Sequence, residues 1–328
     1  MKKLAIIIMS VLVFNNIVVF AKDFPDVSNT HANYVAIDYL SDQGVLSGYE
    51  DGNFQPDKLV NRAEALKIIF EGLGLEINSD LEQDNLFSDV NSENWFAKYV
   101  AHAKNAGIIN GNPDGTYAPS RNVARAEFLK MLLNSIGFKS DQWEDLNEFE
   151  DVSEGEWYTP FMNYAGKAGL LSADESGKLY PSKNLSRGEV SEILYLLLVI
   201  LSAKDTQFLI DQAEAQMAQI ELLIANKNIS MAKRSAELAV DMTQQAYRNM
   251  PDNDVVLGAA KIARGYDYLV NSYVSALNEN YSEAEDWANQ VIEKATEAWE
   301  VNNDTQPIAR HLKDRAREIL TQVEEFTQ

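Results

Sequence analysis

The chain has 328 residues, 46% of them apolar, with 28 Lys and Arg against 50 Asp and Glu, a formal charge of −22. That length and apolar content fit two or three globular domains with real cores, and the acidity argues against nucleic acid or anionic lipid as a main partner, since both attract a cationic face. There is no Cys, which excludes disulfides, cysteine-based metal sites and thiol catalysis.

Residues 1–21 open on "MKK", continue as the apolar "LAIIIMSVLVFNNIVVF", and end in "VFA", with Val19 and Ala21 at the −3 and −1 positions of a signal-peptidase site. This is the build of a secretory signal peptide. The alternative, an uncleaved anchor, is weakened by Asn15 and Asn16 inside a run already marginal for spanning. Cleavage after Ala21 leaves 26 cationic residues against 50 acidic ones, a net −24. No later segment reads as transmembrane; "ILYLLLVIL", Ile193–Leu201, is too short to cross a bilayer and reads as a buried helix.

A repeat fills the next stretch. Arg62, Arg125 and Arg187 are separated by 63 and 62 residues, and Glu64, Glu127 and Glu189 keep the same steps. So do Gly44, Gly107 and Gly169, and Pro56, Pro119 and Pro181. Each unit opens on an aromatic-x-Asp-Val phrase: "FPDV" at Phe24, "FSDV" at Phe87, "FEDV" at Phe149. The agreement defines repeats over 22–84, 85–147 and 148–202.

Each repeat reads as helix, turn, helix. In the second, a helix over "WFAKYVAHAKNAG" stops at Gly107, the left-handed residue that ends many helices. Turn-rich phrases follow, "GYEDGNFQP" and "GNPDGTYAP", in which Gly supplies positive φ and Asp bonds its own backbone. Phe54, Tyr117 and Leu179, two residues before each Pro, read as packing anchors. The second helix starts at "VNRAEALKII", "VARAEFLKML" or "LSRGEVSEIL". Asn61 with Glu64, and Ser186 with Glu189, have capping-box spacing. Repeat 2 has Ala124 at the cap, which costs that helix about 1 kcal/mol; its Glu127 keeps the reciprocal position. Ala65, Ile68 and Ile69, with their counterparts, form a core stripe at helical spacing.

Helix formation accounts for the Glu but not for the Arg, a cation set against the helix dipole. A triplicated cation there implies either an intramolecular ion pair or an anionic ligand. For a ligand carboxylate, Arg offers a planar fork of donors.

The three repeats resemble the S-layer homology domain, whose repeat runs from an aromatic-x-Asp-Val opening through a Trp-Ala helix and a Gly-Tyr-x-Asp-Gly-x-Phe-x-Pro turn to a Thr-Arg-Ala-Glu helix start. The resemblance covers about 180 residues and implies a mainly α fold: a pseudo-threefold trimer of repeats around a central three-helix bundle, with grooves between neighbouring repeats. It also implies non-covalent binding of secondary cell-wall polysaccharide, often carrying a pyruvate ketal, or of peptidoglycan. The carboxylate would be read by Arg62, Arg125 and Arg187. The turn residues Gly48, Gly111, Asp51 and Asp114 and the aromatic rings of Trp95 and Trp157 join this expected glycan set, though either Trp reads equally as core filler. The family's Thr is here Asn61, Ala124 and Ser186. Ala32 stands where the other repeats have Trp95 and Trp157, and Ala173 and Ser176 stand where repeat 2 has Gly111 and Asp114. These departures direct the expectation to Arg62 and Arg125 more than to repeat 3.

After Leu201, Ala, Gln and Glu dominate and turn signals are few, so residues 203–328 read as a helical domain. Breaks fall at "NKN", "MPDND", "NENYS" and "VNNDTQP". An offset of 52 pairs Asn228, Ala232 and Ala236 with Asn280, Ala284 and Ala288, which predicts two helical hairpins in an antiparallel bundle. A long helix over residues 187–225 is expected to join it to the third repeat.

No catalytic or metal constellation stands out: a glycosidase pair among the 50 carboxylates stays open, but nothing singles one out. The three His residues, His31, His102 and His311, have no ligand spacing, and the Asp-Gly turns fall short of the oxygen pattern of an EF-hand. No cofactor or metal is expected. The resulting expectation is a secreted, cell-surface protein anchored to wall glycan, with a helical spacer or protein-interaction domain. The alternatives are a structural S-layer subunit and a wall-tethered enzyme.

Overall fold

The computed structural model describes residues 24–77, 81, 86–143 and 148–327; the expected signal peptide, residues 1–21, lies outside them. The described residues are mainly helical and contain no β-strand longer than an isolated bridge. They form two compact units, one holding residues 24–28 and 36–198, the other 29–35 and 199–327.

The repeats contribute one helix pair each, lying in the first unit but for the first two residues of α1 and the last three of α6: α1 (Tyr34–Asp42) and α2 (Arg62–Gly72), α3 (Ala97–Asn105) and α4 (Arg125–Ser135), α5 (Thr159–Lys167) and α6 (Arg187–Leu201). The first helix of each pair is followed by a left-handed glycine, Gly44, Gly107 or Gly169, at φ of 72–77°. Side chains on the second helices form the centre of the core: Leu66 and Ile69, Leu129 and Leu132, Leu194 and Leu197 are all fully buried. α2 packs against α4, and Leu194 of α6 fills the space beside Gly72 of α2.

The repeats are joined cyclically by backbone. The Val60 N–H donates to Leu185 O (3.0 Å), Leu185 N–H to Val123 O (3.1 Å), and Val123 N–H to Val60 O (2.9 Å). The residues of this ring are fully buried, so none of the three bonds competes with water. Beside it, Arg62 N–H donates to Arg121 O, Arg125 N–H to Lys183 O, and Arg187 N–H to Lys58 O, at 2.8–2.9 Å. Each repeat thus hands the start of its second helix to the next repeat's turn, and the third hands back to the first.

The second unit holds α7 (Thr206–Ala225), α8 (Ile229–Asn249), α9 (Asp254–Leu277), α10 (Tyr281–Val301) and α11 (Gln306–Thr327). Successive helices pack on one another, and α9 also touches α7 and α11. The offset of 52 is structural: α8 and α10 are each 21 residues long and start and stop at matching positions. Each is preceded by a left-handed residue, Lys227 (φ 61°) or Glu279 (φ 60°). Fully buried Ala232, Ala236 and Ala239 on α8, with Ala284, Ala288 and Ala295 on α10, let these helices approach their neighbours closely. The long helix expected over 187–225 is instead two. α6 stops at Leu201, and Asp205 caps α7 by accepting from Phe208 N–H at 3.0 Å. A side chain that satisfies an orphan donor makes that break favourable.

Candidate functional site

The three opening aspartates build the turns on which the arginines dock. Asp26 accepts from the N–H groups of Phe54 and Gln55 at 2.8 and 2.6 Å, Asp89 from Tyr117 and Ala118 at 2.8 Å each, and Asp151 from Leu179 and Tyr180 at 2.8 and 2.7 Å. The second residue of each pair is left-handed without being Gly: Gln55, Ala118 and Tyr180 lie at φ of 54–59°. Two charge-assisted bonds offset the cost of that conformation. The carbonyl of the first residue is thereby aimed at the preceding repeat.

That carbonyl receives the motif arginine. Arg62, 7% exposed, donates Nε–H to Tyr117 O at 2.9 Å and stacks its guanidinium 4.7 Å above the Tyr117 ring. The Tyr117 hydroxyl returns a bond to Arg62 O at 2.8 Å. Arg125 Nη1 donates to Leu179 O. Arg187 Nε donates to Phe54 O and Nη2 to Ser47 O, both at 2.9 Å, with its guanidinium 4.5 Å from the Phe54 ring and 4.8 Å from that of Tyr49.

The junctions differ in charge. Arg62 Nη1 pairs with Glu127 at 3.2 Å, and Arg121 pairs with the same oxygen at 2.5 Å. Arg125 Nη2 pairs with Glu189 at 3.2 Å, and Lys183 reaches it at 2.6 Å. The other oxygens of these glutamates accept from the cap N–H groups of Ala124 and Ser186. Burial pushes both carboxyls up, but the Arg121 or Lys183 bond, the cap N–H and the docked arginine outweigh it, and the net shift is downward. At the third junction Glu64 keeps the reciprocal box with Asn61 (3.0 and 2.9 Å). There, among the described residues, no carboxylate pairs with Arg187 or Lys58; the Lys58 ammonium lies 4.2 Å from the centre of the Tyr49 ring.

The remaining expected residues fall elsewhere. Gly48 and Gly111 are filled by neighbouring rings: an added Cβ at Gly48 would lie 2.7 Å from Phe24, and one at Gly111 would collide with Phe87. Asp51 and Asp114 are fully exposed and bond their own turns, Asp51 to Asn53 N–H (2.9 Å) and Asp114 to Thr116 N–H and Oγ (3.0 and 2.7 Å). Those bonds lower both carboxyls' pKa. Trp95 and Trp157 are 53% and 50% exposed, so neither is core filler. Their ring partners are Phe96 and Tyr99, and Tyr158 and the Lys130 ammonium, not the motif arginines. Sequence reading overlooked Lys58, Arg121 and Lys183, although they form a cationic column two residues after each repeat Pro. It also passed over Tyr49.

Comparison with known proteins agrees with this geometry. Residues 23–66, 86–129 and 148–191 match the S-layer homology domain. The chain is 30% identical to S-layer protein EA1 of Bacillus anthracis over 176 residues, 53% of this chain and 20% of that protein. An S-layer protein of Bacillus thuringiensis subsp. finitimus matches at 24% over 237 residues, 72% of this chain and 27% of its own. An endoglucanase of Bacillus sp. (strain KSM-635) matches at 25% over 215 residues, 64% of this chain and 22% of its own. The chain therefore spans about a fifth to a quarter of the length of these relatives. With the cyclic docking of three Asp-clamped turns on three arginines, these matches show that the chain carries three S-layer homology domains in tandem.

Proposed function

We propose that the protein is secreted to the cell surface and held there non-covalently by its three S-layer homology domains, which bind cell-wall polysaccharide. The observation that carries this reading is the repeat junction: an arginine at the first residue of a helix, held on a turn carbonyl of the neighbouring repeat and, at two junctions of three, over aromatic rings. A carboxylate-bearing sugar, such as one with a pyruvate ketal, fits such a fork of donors, and the apolar ring faces suit the sugar. Cosedimentation with purified sacculi tests it. Binding should be retained on intact sacculi and lost once acid has stripped the polysaccharide; equal binding to both would point to peptidoglycan.

The relatives leave the rest of the chain open, because assembly proteins and enzymes share these domains. The helical unit is proposed as a spacer or protein-interaction module. A second reading, a structural S-layer subunit, is favoured by the matches to proteins of that name. It predicts two-dimensional arrays of the purified chain by electron microscopy, which an anchored spacer does not form.

A further inference from the structure

We propose that the helical unit carries a binding site of its own, for an uncharged, hydroxyl-rich sugar chain, on the face of α9 that lies between α8 and α10. Both helices pack on α9 but make little or no contact with each other. The strip of α9 left between them runs through Leu257, Lys261, Arg264, Tyr268 and Asn271, all half-buried and spaced 4, 3, 4 and 3 residues apart. Tyr268 meets Trp287 of α10 with ring centroids 5.2 Å apart and planes tilted by 37°. Two half-exposed rings thus form one apolar platform. The fold does not require this pair. The offset of 52 that carries the buried alanines of α8 onto those of α10 puts Gln216 in the place of Tyr268 and Ser235 in that of Trp287, and both are buried. The hairpin recurs without the aromatic pair.

The charges beside the platform are fixed and balanced. Arg264 Nη1 bonds Asp267 at 3.0 Å, and its guanidinium lies 6.0 Å from the centre of the Tyr268 ring. Glu297 is held between Lys261 and Lys294, and Lys294 also approaches Glu293 at 3.6 Å. Arg264 and Arg248 both act on Asp241 of α8. Four cations thus meet four anions, on a chain whose overall charge is −22. Such a face gives a charged ligand no net attraction, whereas an uncharged one escapes the repulsion of the rest of the chain. Pairing orients these groups without exhausting them. Arg264 spends one nitrogen, and among the described residues neither the Asn271 amide nor the Asp241 carboxylate has a hydrogen-bond partner. Partial burial pushes the Asp241 carboxyl up, against the pull of the two arginines. Unspent donors and acceptors beside ring faces suit a sugar: its hydroxyls both donate and accept, and its C–H face covers the rings.

Titration calorimetry of the full chain with two uncharged probes tests this: chitotetraose, an N-acetylglucosamine oligomer, and cellotetraose, which lacks the acetamido groups. At least one should bind. Trp287→Ala should weaken that binding about tenfold, the loss of a stacking face, and Asn271→Ala about fivefold, the loss of one neutral hydrogen bond. Asn271 is half-buried and makes no bond within the fold, so its variant carries the test if Trp287→Ala unfolds. Cosedimentation with intact sacculi, proposed above to depend on the repeats, should survive in both variants. Wild-type chain that binds neither probe overturns this site and leaves the wall-binding reading intact if it still cosediments with sacculi. Probe binding unchanged in both variants also overturns the site, because the sugar then sits elsewhere. Wild-type chain that binds a probe but not sacculi, with the expected losses in the variants, upholds this site and removes the wall-binding reading.

Discussion

At the scale of single residues, one carboxylate links the motif's ends. Asp89 holds Tyr117 and Ala118 N–H, Tyr117 O accepts from Arg62, and Arg62 meets Glu127. Asp89→Ala should therefore destabilise the chain by about 2 kcal/mol, the worth of hydrogen bonds to a charged group at a partly exposed site, read as a fall in urea midpoint. Ala118 sits at φ 57°, where a Cβ costs about 1–2 kcal/mol; Ala118→Gly should leave stability level or raise it, because the relief outweighs Gly's extra chain entropy. A drop comparable to that of Asp89→Ala would show that the turn is not strained. Glu127 and Glu189 add a pH dependence. Their folded pKa values lie below the ordinary 4.5, so the folded chain binds fewer protons than the unfolded chain near that pH. Their stabilisation is complete above 4.5 and is lost as pH falls through the folded values. A Glu127→Gln/Glu189→Gln chain should be less stable than wild type at neutral pH, and the gap should close as pH falls below the ordinary carboxylate value and through the lowered folded ones. A gap independent of pH would assign their effect to shape and not charge.

At the scale of elements, caps and close approaches decide which sequence changes the fold accepts. α4 starts at Ala124 with only half of a capping box, Glu127 holding the cap N–H with no side-chain oxygen returned. Ala124→Ser should stabilise by about 1 kcal/mol, and no change in unfolding midpoint would mean that the docked turn of repeat 3 already satisfies this end. Gly111→Ala should do the reverse, since it puts a Cβ into the Phe87 ring at a φ of 78°. The element order, the glycine stops and the 52-residue hairpin offset were legible in the sequence because each depends on local chemistry that recurs. The break at residues 202–205 was not. The apolar run ending at Leu201 flows into good helix formers, and only the capping geometry of Asp205 shows that the chain turns there. Gly48 and Gly111 were expected to meet a sugar, but the space beside them is filled by the Phe24 and Phe87 rings, more than 20 residues earlier in the chain, where local chemistry gives no sign of the contact.

At the scale of the whole molecule, the repeat columns were visible, but their cyclic use was not. The Arg of one repeat meets the Glu of the next, 65 residues on for Arg62 and Glu127 and 64 on for Arg125 and Glu189. A reading that treats each repeat alone sees an Arg and a Glu two residues apart and assigns them separately. The proposed function asks a chain with 50 acidic residues and a charge of −22 to take up an acidic glycan. On that reading long-range repulsion opposes the encounter, while the contact itself would be decided at the motif arginines over a few ångströms. Salt screens exposed charges beyond about 8 Å at physiological ionic strength but acts far less on partly buried pairs. Raising NaCl from about 50 to 300 mM should therefore remove more repulsion than attraction, and affinity for acid-released polysaccharide should hold or rise. A protein binding through diffuse surface lysines would lose affinity steeply over the same range. Calorimetry across that salt series decides between them: a steep fall would mean that the glycan is held by general surface charge and not by the motif arginines.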